Sequence, residues 1–374
     1  MDNRRPTWAE IDLSAIEHNI FTVQSYLKPP TRLMAVVKAN AYGHGMLETA
    51  NLCAARGVDF LGVATLDEAM PLAETGVNLP ILVLGYVPRE FASQVVEHGI
   101  RTVVYETAFA RELSRAALAL GKEALIHIKV DTGMGRLGFP INCRGVAQVL
   151  EASQLPGVKT EGIMTHFAEA DGPDRTYTLE QIKRFQKFNL ELGKSGLYIP
   201  IKHCANSAAV VSFPEAHFDM VRAGIMLYGL SPSSYLKSMD LDIIPAMTLK
   251  SRVSFVKTLP AGESVSYGRT FSCSEDTRVA TVPIGYADGY NRLLSNRAYA
   301  VIKGLKAPLI GNVCMDQCMF AIPQGADIRI GDEVILFGRP EQGITADDLA
   351  DMIGTINYEI VTTITSRVPR TYKE

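Results

Sequence analysis

The chain has 374 residues, enough for one large domain or two of ordinary size. Apolar residues make up 47% and charged residues 21%, which predicts a substantial core; the formal net charge of −3 gives no footprint for nucleic acid or anionic lipid. The start, MDNRRPTWAEIDL, has no apolar run behind its arginines, and no stretch approaches the ~18–20 apolar residues of a membrane span. The six cysteines are scattered, and Cys314 and Cys318 have no second pair nearby to complete a zinc site. A reduced, cytoplasmic protein without a metal centre is the expectation.

The first ~230 residues repeat a short buried run followed by a helical stretch. Eight runs stand out: LMAVVK (33–38), DFLGVA (59–64), PILVLG (80–85), RTVVYE (101–106), ALIHIKVD (124–131), VKTEGIM (158–164), PIKHCA (200–205) and MVRAGIML (220–227). Thr65-Leu66-Asp67-Glu68 is a capping-box pattern opening a helix that ends at Gly76. Phe109, Leu113, Ala116, Ala117 and Leu120 keep helical spacing up to Gly121. Another helix opens at Thr178 and Gln181 and stops at Gly193. Strands alternating with helices predict parallel βαβ units with right-handed crossovers. Eight of them predict a closed (β/α)8 TIM-type barrel over residues 1–240. The alternative, an open doubly wound sheet, finds no GxGxxG opening a helix.

Past residue 240 the rhythm changes. MTLKSRVSFVK (247–257) alternates with period two, and TRVATVPIGYADGY, RAYAVIKGLKAPLIG and DEVILFG are strand-like between Gly, Pro, Asn and Asp. Only TADDLADMIG (345–354) reads as a helix, so residues 241–374 form a mostly-β domain. The early segment TWAEIDLSAI (7–16) is strand-like and suited to pair with that domain.

In such a barrel the side chains at the C-terminal ends of the strands build the active site. Strand one ends at Lys38, and a lysine there is unusual, because an ammonium is expensive to bury without a partner. Strand five carries Lys129 and Asp131 and leads to Arg136. Strand six leads to His166, strand seven through His203 to Asn206 and Ser207, strand eight to Arg222 and Gly224. The loops after strands seven and eight are the usual phosphate site of this fold. A nucleophilic amine, a phosphate cradle and no metal cluster point to pyridoxal phosphate held by Lys38 as a Schiff base.

Six motifs then carry a resemblance. AVVKANAYGHG, HIKVDTGMGRLGF, VSYGRTF, IGYADGYNR, GNVCMDQ and TSRVPRTY are similar, in order and over essentially the whole chain, to those of bacterial alanine racemases. The resemblance implies a homodimer whose active sites are completed by the partner's β domain, acting on L-alanine and D-alanine and supplying D-alanine for peptidoglycan. It implies Lys38 and the partner's Tyr267 as catalytic bases on opposite faces of the substrate. Removing a proton from one face and returning it on the other is most simply done by two groups. A free phenol, with a reference pKa of ~10, is a poor base at neutral pH, so neighbours must help it. It also implies Tyr42, His166, Ser207, Arg222, Gly224, Ile225 and Tyr358 around the cofactor. Arg136 and Met315 are implied at the substrate carboxylate, Lys129 as a site of carbamylation, and Tyr286, Asp171 and Arg292 along the access channel. His203 is implied one layer out from the cofactor, where a hydrogen-bonded core histidine is the alternative. Asn312 departs from the arginine many relatives carry before Val-Cys-Met-Asp, which bears on the access channel.

Rival readings are a racemase of serine, lysine or ornithine on the same fold, a decarboxylase sharing the barrel, and a cofactor carrier. A metal-dependent hydrolase would use His44, His166, His203 and Asp131, which lack ligand-pair spacing.

Overall fold

The structure, a computed structural model, describes residues 5–374; residues 1–4, the start of MDNRRPTWAEIDL, lie outside the described residues. Strand β1 (Trp8–Asp12) buries Ala9 and Ile11 on one face, as period-two alternation requires. Asp12 then caps the helix Leu13–Ser25, its carboxylate accepting from Ala15 N at 3.0 Å.

The barrel follows. Its strands are β2 (Arg32–Val36), β3 (Phe60–Val63), β4 (Ile81–Val83), β5 (Arg101–Val104) and β6 (Ala124–Asp131), with a short β7 (Phe139–Pro140) beside the end of β6. Then come β8 (Val158–Met164), β9 (Ile201–His203) and β10 (Met220–Ala223). Every pairing is parallel, in the order β10-β2-β3-β4-β5-β6-β8-β9. The β9–β10 seam is bridged by Asp219 N to Lys202 O and Arg222 N to Ala205 O, both at 3.0 Å. The eight runs are therefore the eight strands of a nearly closed barrel, and the open-sheet alternative falls. Met34, Phe60, Leu82, Val103, Met164, Ile201 and Met220, one from each strand but β6, pack together as the barrel interior.

Two boundaries differ from expectation. The helix read as opening at Thr178 begins at Thr176 and runs through Gly193 to Lys194; a lone glycine weakens a helix by about 1 kcal/mol without ending it. β2 stops at Val36, short of Lys38.

The β domain holds β11 (Met247–Arg252), β12 (Phe255–Leu259), β13 (Ser264–Val265), β14 (Phe271–Ser272), β15 (Thr277–Val282), β16 (Tyr299–Ile302), β17 (Leu305–Pro308), β18 (Cys318–Ala321), β19 (Glu333–Phe337) and β20 (Arg370–Lys373). The run MTLKSRVSFVK is two strands in two different sheets, not one. β1 pairs antiparallel with β11 and parallel with β20, so the early strand joins the second domain as its pattern suggests. TADDLADMIG forms the helix Ala346–Ile353 with a Thr345/Asp348 capping box. A second helix, Asn357–Thr362, had no capping signal in the sequence.

Asn19 ties the first helix to the chain leaving the barrel. Its Nδ2 donates to Leu227 O and Ile244 O, and its Oδ1 accepts from Ile244 N at 2.7 Å, all with the residue fully buried. Asn19→Ala strands these backbone groups, each worth ~1–3 kcal/mol when left unpaired. The urea midpoint of this variant is expected to fall clearly below that of an exposed-site control such as Phe21→Ala; equal midpoints would contradict the role.

Candidate active site

Beyond β2 the chain makes one turn of left-handed helix. Ala39, Asn40, Ala41 and Tyr42 hold φ of 52°, 54°, 55° and 52°. Non-glycine residues pay roughly 1–2 kcal/mol each in that conformation, so the turn must be held from outside. Glu68 does much of this. Its Oε1 accepts from Ala39 N and its Oε2 from Ala64 N, each at 2.7 Å. The expected capping box is thus half made: Thr65 Oγ caps Glu68 N, but the carboxylate serves the neighbouring loops instead. Asn40 Oδ1 accepts from Met46 N at 2.9 Å. Arg370 Nε donates to Gly43 O at 2.9 Å, while its other nitrogens hold Ile364, Thr365 and Val368 carbonyls. The C-terminal tail therefore staples the turn that presents Lys38, whose Nζ lies 5.9 Å from the Tyr42 ring centre.

A cavity of about 670 Å³ opens at this end of the barrel. Four cationic side chains line it: Lys38, Lys129, Arg136 and Arg222. Among the described residues none of the four forms an ion pair. Asp131, a possible partner for Lys129, instead accepts from Gly133 N and Gly135 N and shapes the turn that carries Arg136. Burial, then the charges of Arg222 and Arg136, bring the Lys129 amine down to about 7. Burial and Arg136 also push Lys38 below the usual lysine range, against the opposing pull of Glu68.

Arg222 is 3% exposed and is held by neutral acceptors. Its Nη1 donates to His203 Nδ1 at 3.2 Å; its Nη2 meets Thr165 O, Cys204 O and His166 Nδ1 at 3.0, 2.9 and 3.0 Å. Nε makes no hydrogen bond among the described residues. Burial and then the Arg222 charge push His166 well below the ordinary histidine range, so it is neutral and accepts at Nδ1. His203 is fully buried, and its Nδ1 accepts from Arg222 Nη1. Gln181, which sequence reasoning used only as a helix marker, holds the His166 loop: its amide donates to His166 O and Thr132 Oγ, and its Oε1 accepts from Ala168 N.

Tyr42, Ser207, Gly224, Ile225 and Tyr358 gather at one wall of the cavity. Ser207 Oγ accepts from Gly224 N at 2.8 Å. A Cβ at position 224 would lie 2.5 Å from Tyr42 Oη, so only glycine leaves this wall open. Burial raises both phenols, Tyr42 and Tyr358, which therefore stay protonated. Asp171 stands exposed at the rim.

Four sequence-chosen residues do not line this cavity. Tyr267, Tyr286, Met315 and Arg292 all belong to the β domain, and the first three are 73%, 42% and 52% exposed. Hydrogen bonds gather them into one patch. Asn312 Nδ2 donates to Tyr267 O at 2.6 Å, Tyr286 N to Cys314 O, and Ala287 N to Met315 O. Ser295, bonded to Arg292 O, accepts from Val313 N. Tyr267 follows Ser266, whose φ of 66° is held by its own hydroxyl donating to Asn312 O. Asn312 therefore fixes the Tyr267 loop, a role its departure from an arginine did not suggest. Among the rivals, the metal site does not assemble: His44 bonds Ala41 O and Tyr42 O away from the cavity, and the described residues hold no metal-binding cluster of histidine, cysteine and carboxylates.

The whole chain has relatives. The family model "Alanine racemase, N-terminal domain" matches residues 11–232, and "Alanine racemase, C-terminal domain" matches residues 246–372. An alanine racemase of Clostridium perfringens is 48% identical over 99% of this chain and 96% of its own length. Among solved structures, the alanine racemase of Clostridium difficile 630 superposes with a TM-score of 0.94 at 40% identity, covering 98% of this chain and 96% of that one. That of Bacillus anthracis with bound L-Ala-P gives 0.94 at 36% identity over 100% and 96%. The barrel, the following β domain and these full-length matches agree, and the chain belongs to the alanine racemase family.

Proposed function

We propose that this protein interconverts L-alanine and D-alanine on pyridoxal phosphate, as a homodimer in the cytoplasm, and so supplies D-alanine for peptidoglycan. The observation that carries the reading is the cavity itself: an amine at the barrel mouth among cations that form no ion pair among the described residues. Such a site suits a ligand with a phosphate and a substrate with a carboxylate. The donors fit pyridoxal phosphate part by part. Lys38 offers the amine for its aldehyde. Tyr42, Tyr358, Ser207, Gly224 and Ile225 form the phosphate wall. Arg222, with Nε unengaged among the described residues and His166 and His203 behind it, suits the pyridine nitrogen. When bound, the cofactor supplies an electron sink for the α-carbon of the substrate.

The protein's part is placement and proton transfer. Lys38 Nζ, with its affinity for protons reduced by burial and Arg136, takes or gives the α-proton on one face. Tyr267 of the partner subunit serves the other face. Its exposure on a single chain, beside Tyr286 and Met315, supports this, since a clustered aromatic and apolar patch on a β domain suits an interface. Arg136, with the backbone of the partner's Met315, holds the substrate carboxylate. Arg222 can only donate, so at the pyridine nitrogen it would favour an unprotonated ring and a weaker electron sink. Tyr286, Asp171 and Arg292 flank the way in.

Lys129 is the site of carbamylation in this reading. Its neutral Nζ attacks carbon dioxide, the nitrogen loses a proton, and an anionic carbamate results. That replaces a repelling charge beside Arg136 and Arg222 with an attracting one.

Lys38→Ala and Tyr267→Ala are each expected to lose at least ~10²-fold in kcat. Mixed and allowed to exchange subunits, the two variants should recover about a quarter of wild-type activity, since half of the dimers are then mixed and each has one intact site of two. Normal turnover by Tyr267→Ala alone, or no recovery on mixing despite exchange, would contradict the shared site. For Lys129, 13C-labelled bicarbonate should give a carbamate NMR signal that Lys129→Ala lacks. With its amine at about 7, Lys129 is half neutral at that pH and mostly protonated an order of magnitude of acidity below it, so the signal should grow from pH 6 to pH 8. No Lys129-dependent signal at pH 8 would refute carbamylation.

A further inference from the structure

Where the other barrel strands each add an apolar side chain to the interior cluster, β6 contributes His127, a fully buried imidazole packed edge-on to Phe60 at 6.1 Å between ring centres. Both of its nitrogens are bonded. Nδ1 lies 2.8 Å from His203 Nε2, and Nε2 lies 3.3 Å from Glu161 Oε2. His203 Nδ1 meets Arg222 at the mouth, and Arg101 Nε donates to Glu161 Oε2 at 3.1 Å. A continuous chain of bonds thus runs down the barrel, from Arg222 near the end of β10 to Arg101 at the first residue of β5, on the opposite face.

The protons in this chain have one consistent arrangement. Arg222 can only donate, so His203 Nδ1 accepts. A neutral His203 then carries its proton on Nε2 and donates to His127 Nδ1. His127 in turn carries its proton on Nε2 and donates to Glu161, which can only accept. Burial keeps both imidazoles below the ordinary histidine range. Burial works to raise Glu161, but hydrogen bonds from His127 and Arg101 overcome it and bring the carboxyl to about 2.

The backbone is shaped for this contact. The β6–β8 register shifts between Ile126 and His127: Ile126 faces Thr160, His127 faces Gly162, and Glu161 is the extra residue. Such a bulge re-aims a side chain. Gly162 is required beside it, because a Cβ there would collide with the His127 ring.

We infer that Glu161 and Arg101 are positioning residues for the active site, acting through the fixed tautomers of His127 and His203 to hold the Arg222 guanidinium in place. Its catalytic consequence rests on the proposed racemase reading, in which Arg222 faces the cofactor's ring nitrogen; the tautomers do not. Hydrogen-bond partners directly behind metal ligands typically alter activity by ~10–100-fold, and Glu161, three bonds from Arg222, is expected at the lower end of that range.

The test is 15N NMR of the full-length protein labelled at its seven histidines, with and without pyridoxal phosphate, alongside alanine kinetics. Both His127 and His203 are expected as neutral Nε2–H tautomers. Glu161→Leu should release the His127 tautomer, shift the His203 nitrogens and lower kcat roughly tenfold or more, with KM changed little. Glu161→Gln should restore both, because its amide oxygen accepts the same bond. An Nδ1–H or doubly protonated ring at either position in the wild-type protein would overturn the inference, as would Glu161→Leu with unchanged histidine nitrogens and kcat. Absence of alanine turnover by the wild-type protein would fault the functional reading instead, and the tautomers would still decide this one.

Discussion

Four cations share one cavity at the mouth of the barrel with no carboxylate bound to any of them among the described residues. Lys129 and Arg222 are buried, Lys38 is half-buried and Arg136 is exposed; like charges brought together in and near a buried site are costly, and proteins normally pair them. Here the repulsion is left standing. Burial first, and this repulsion after it, lower the proton affinity of Lys38, Lys129, His166 and His203, and the cavity suits anions. A phosphate, an amino-acid carboxylate and a carbamate are three anions of suitable size. Nucleophilicity of the amine and affinity for the ligand therefore follow from the same electrostatic imbalance.

Holding such a site open requires a stiff frame. The left-handed turn after β2 is strained, and its supports come from three directions: Glu68 from the next barrel unit, Asn40 from within, and Arg370 from the C-terminal tail. The helix Asn357–Thr362 packs close enough that a Cβ at Gly43 would strike Val361 O. The β domain thus braces its own barrel mouth, while its Tyr267 patch is exposed. That division explains why a single chain holds the cations of the site and leaves the proposed second base exposed.

Strong periodicities were legible in the sequence. The eight strands were readable because buried β runs between capped helices have few alternatives, and Lys38 was readable because an ammonium at such a position needs a reason. The wall of Ser207 and Gly224 followed from the fold. The rest depends on contacts far apart in the chain. Glu68 looked like half of a capping box, and only the neighbouring strand shows that its carboxylate is taken by Ala39 and Ala64. His127 was one residue in an apolar run, and the register shift that aims Glu161 at it has no local signature. The left-handed turn contains alanines that propensity would place elsewhere. Asn312 drew notice for what it is not, whereas its amide holds Tyr267.

The most direct test of alanine racemisation is exchange at the α-carbon. Purified protein loaded with pyridoxal phosphate is mixed with L-alanine in heavy water, and D-alanine, α-deuterium and pyruvate are followed together. The expected result is deuterated D-alanine with little pyruvate, because a base in exchange with solvent returns a deuteron to the α-carbon, and Arg222, which can only donate, would not favour a protonated ring. L-alanine recovered unlabelled and unchanged, while the cofactor's visible absorption band confirms loading, would contradict it.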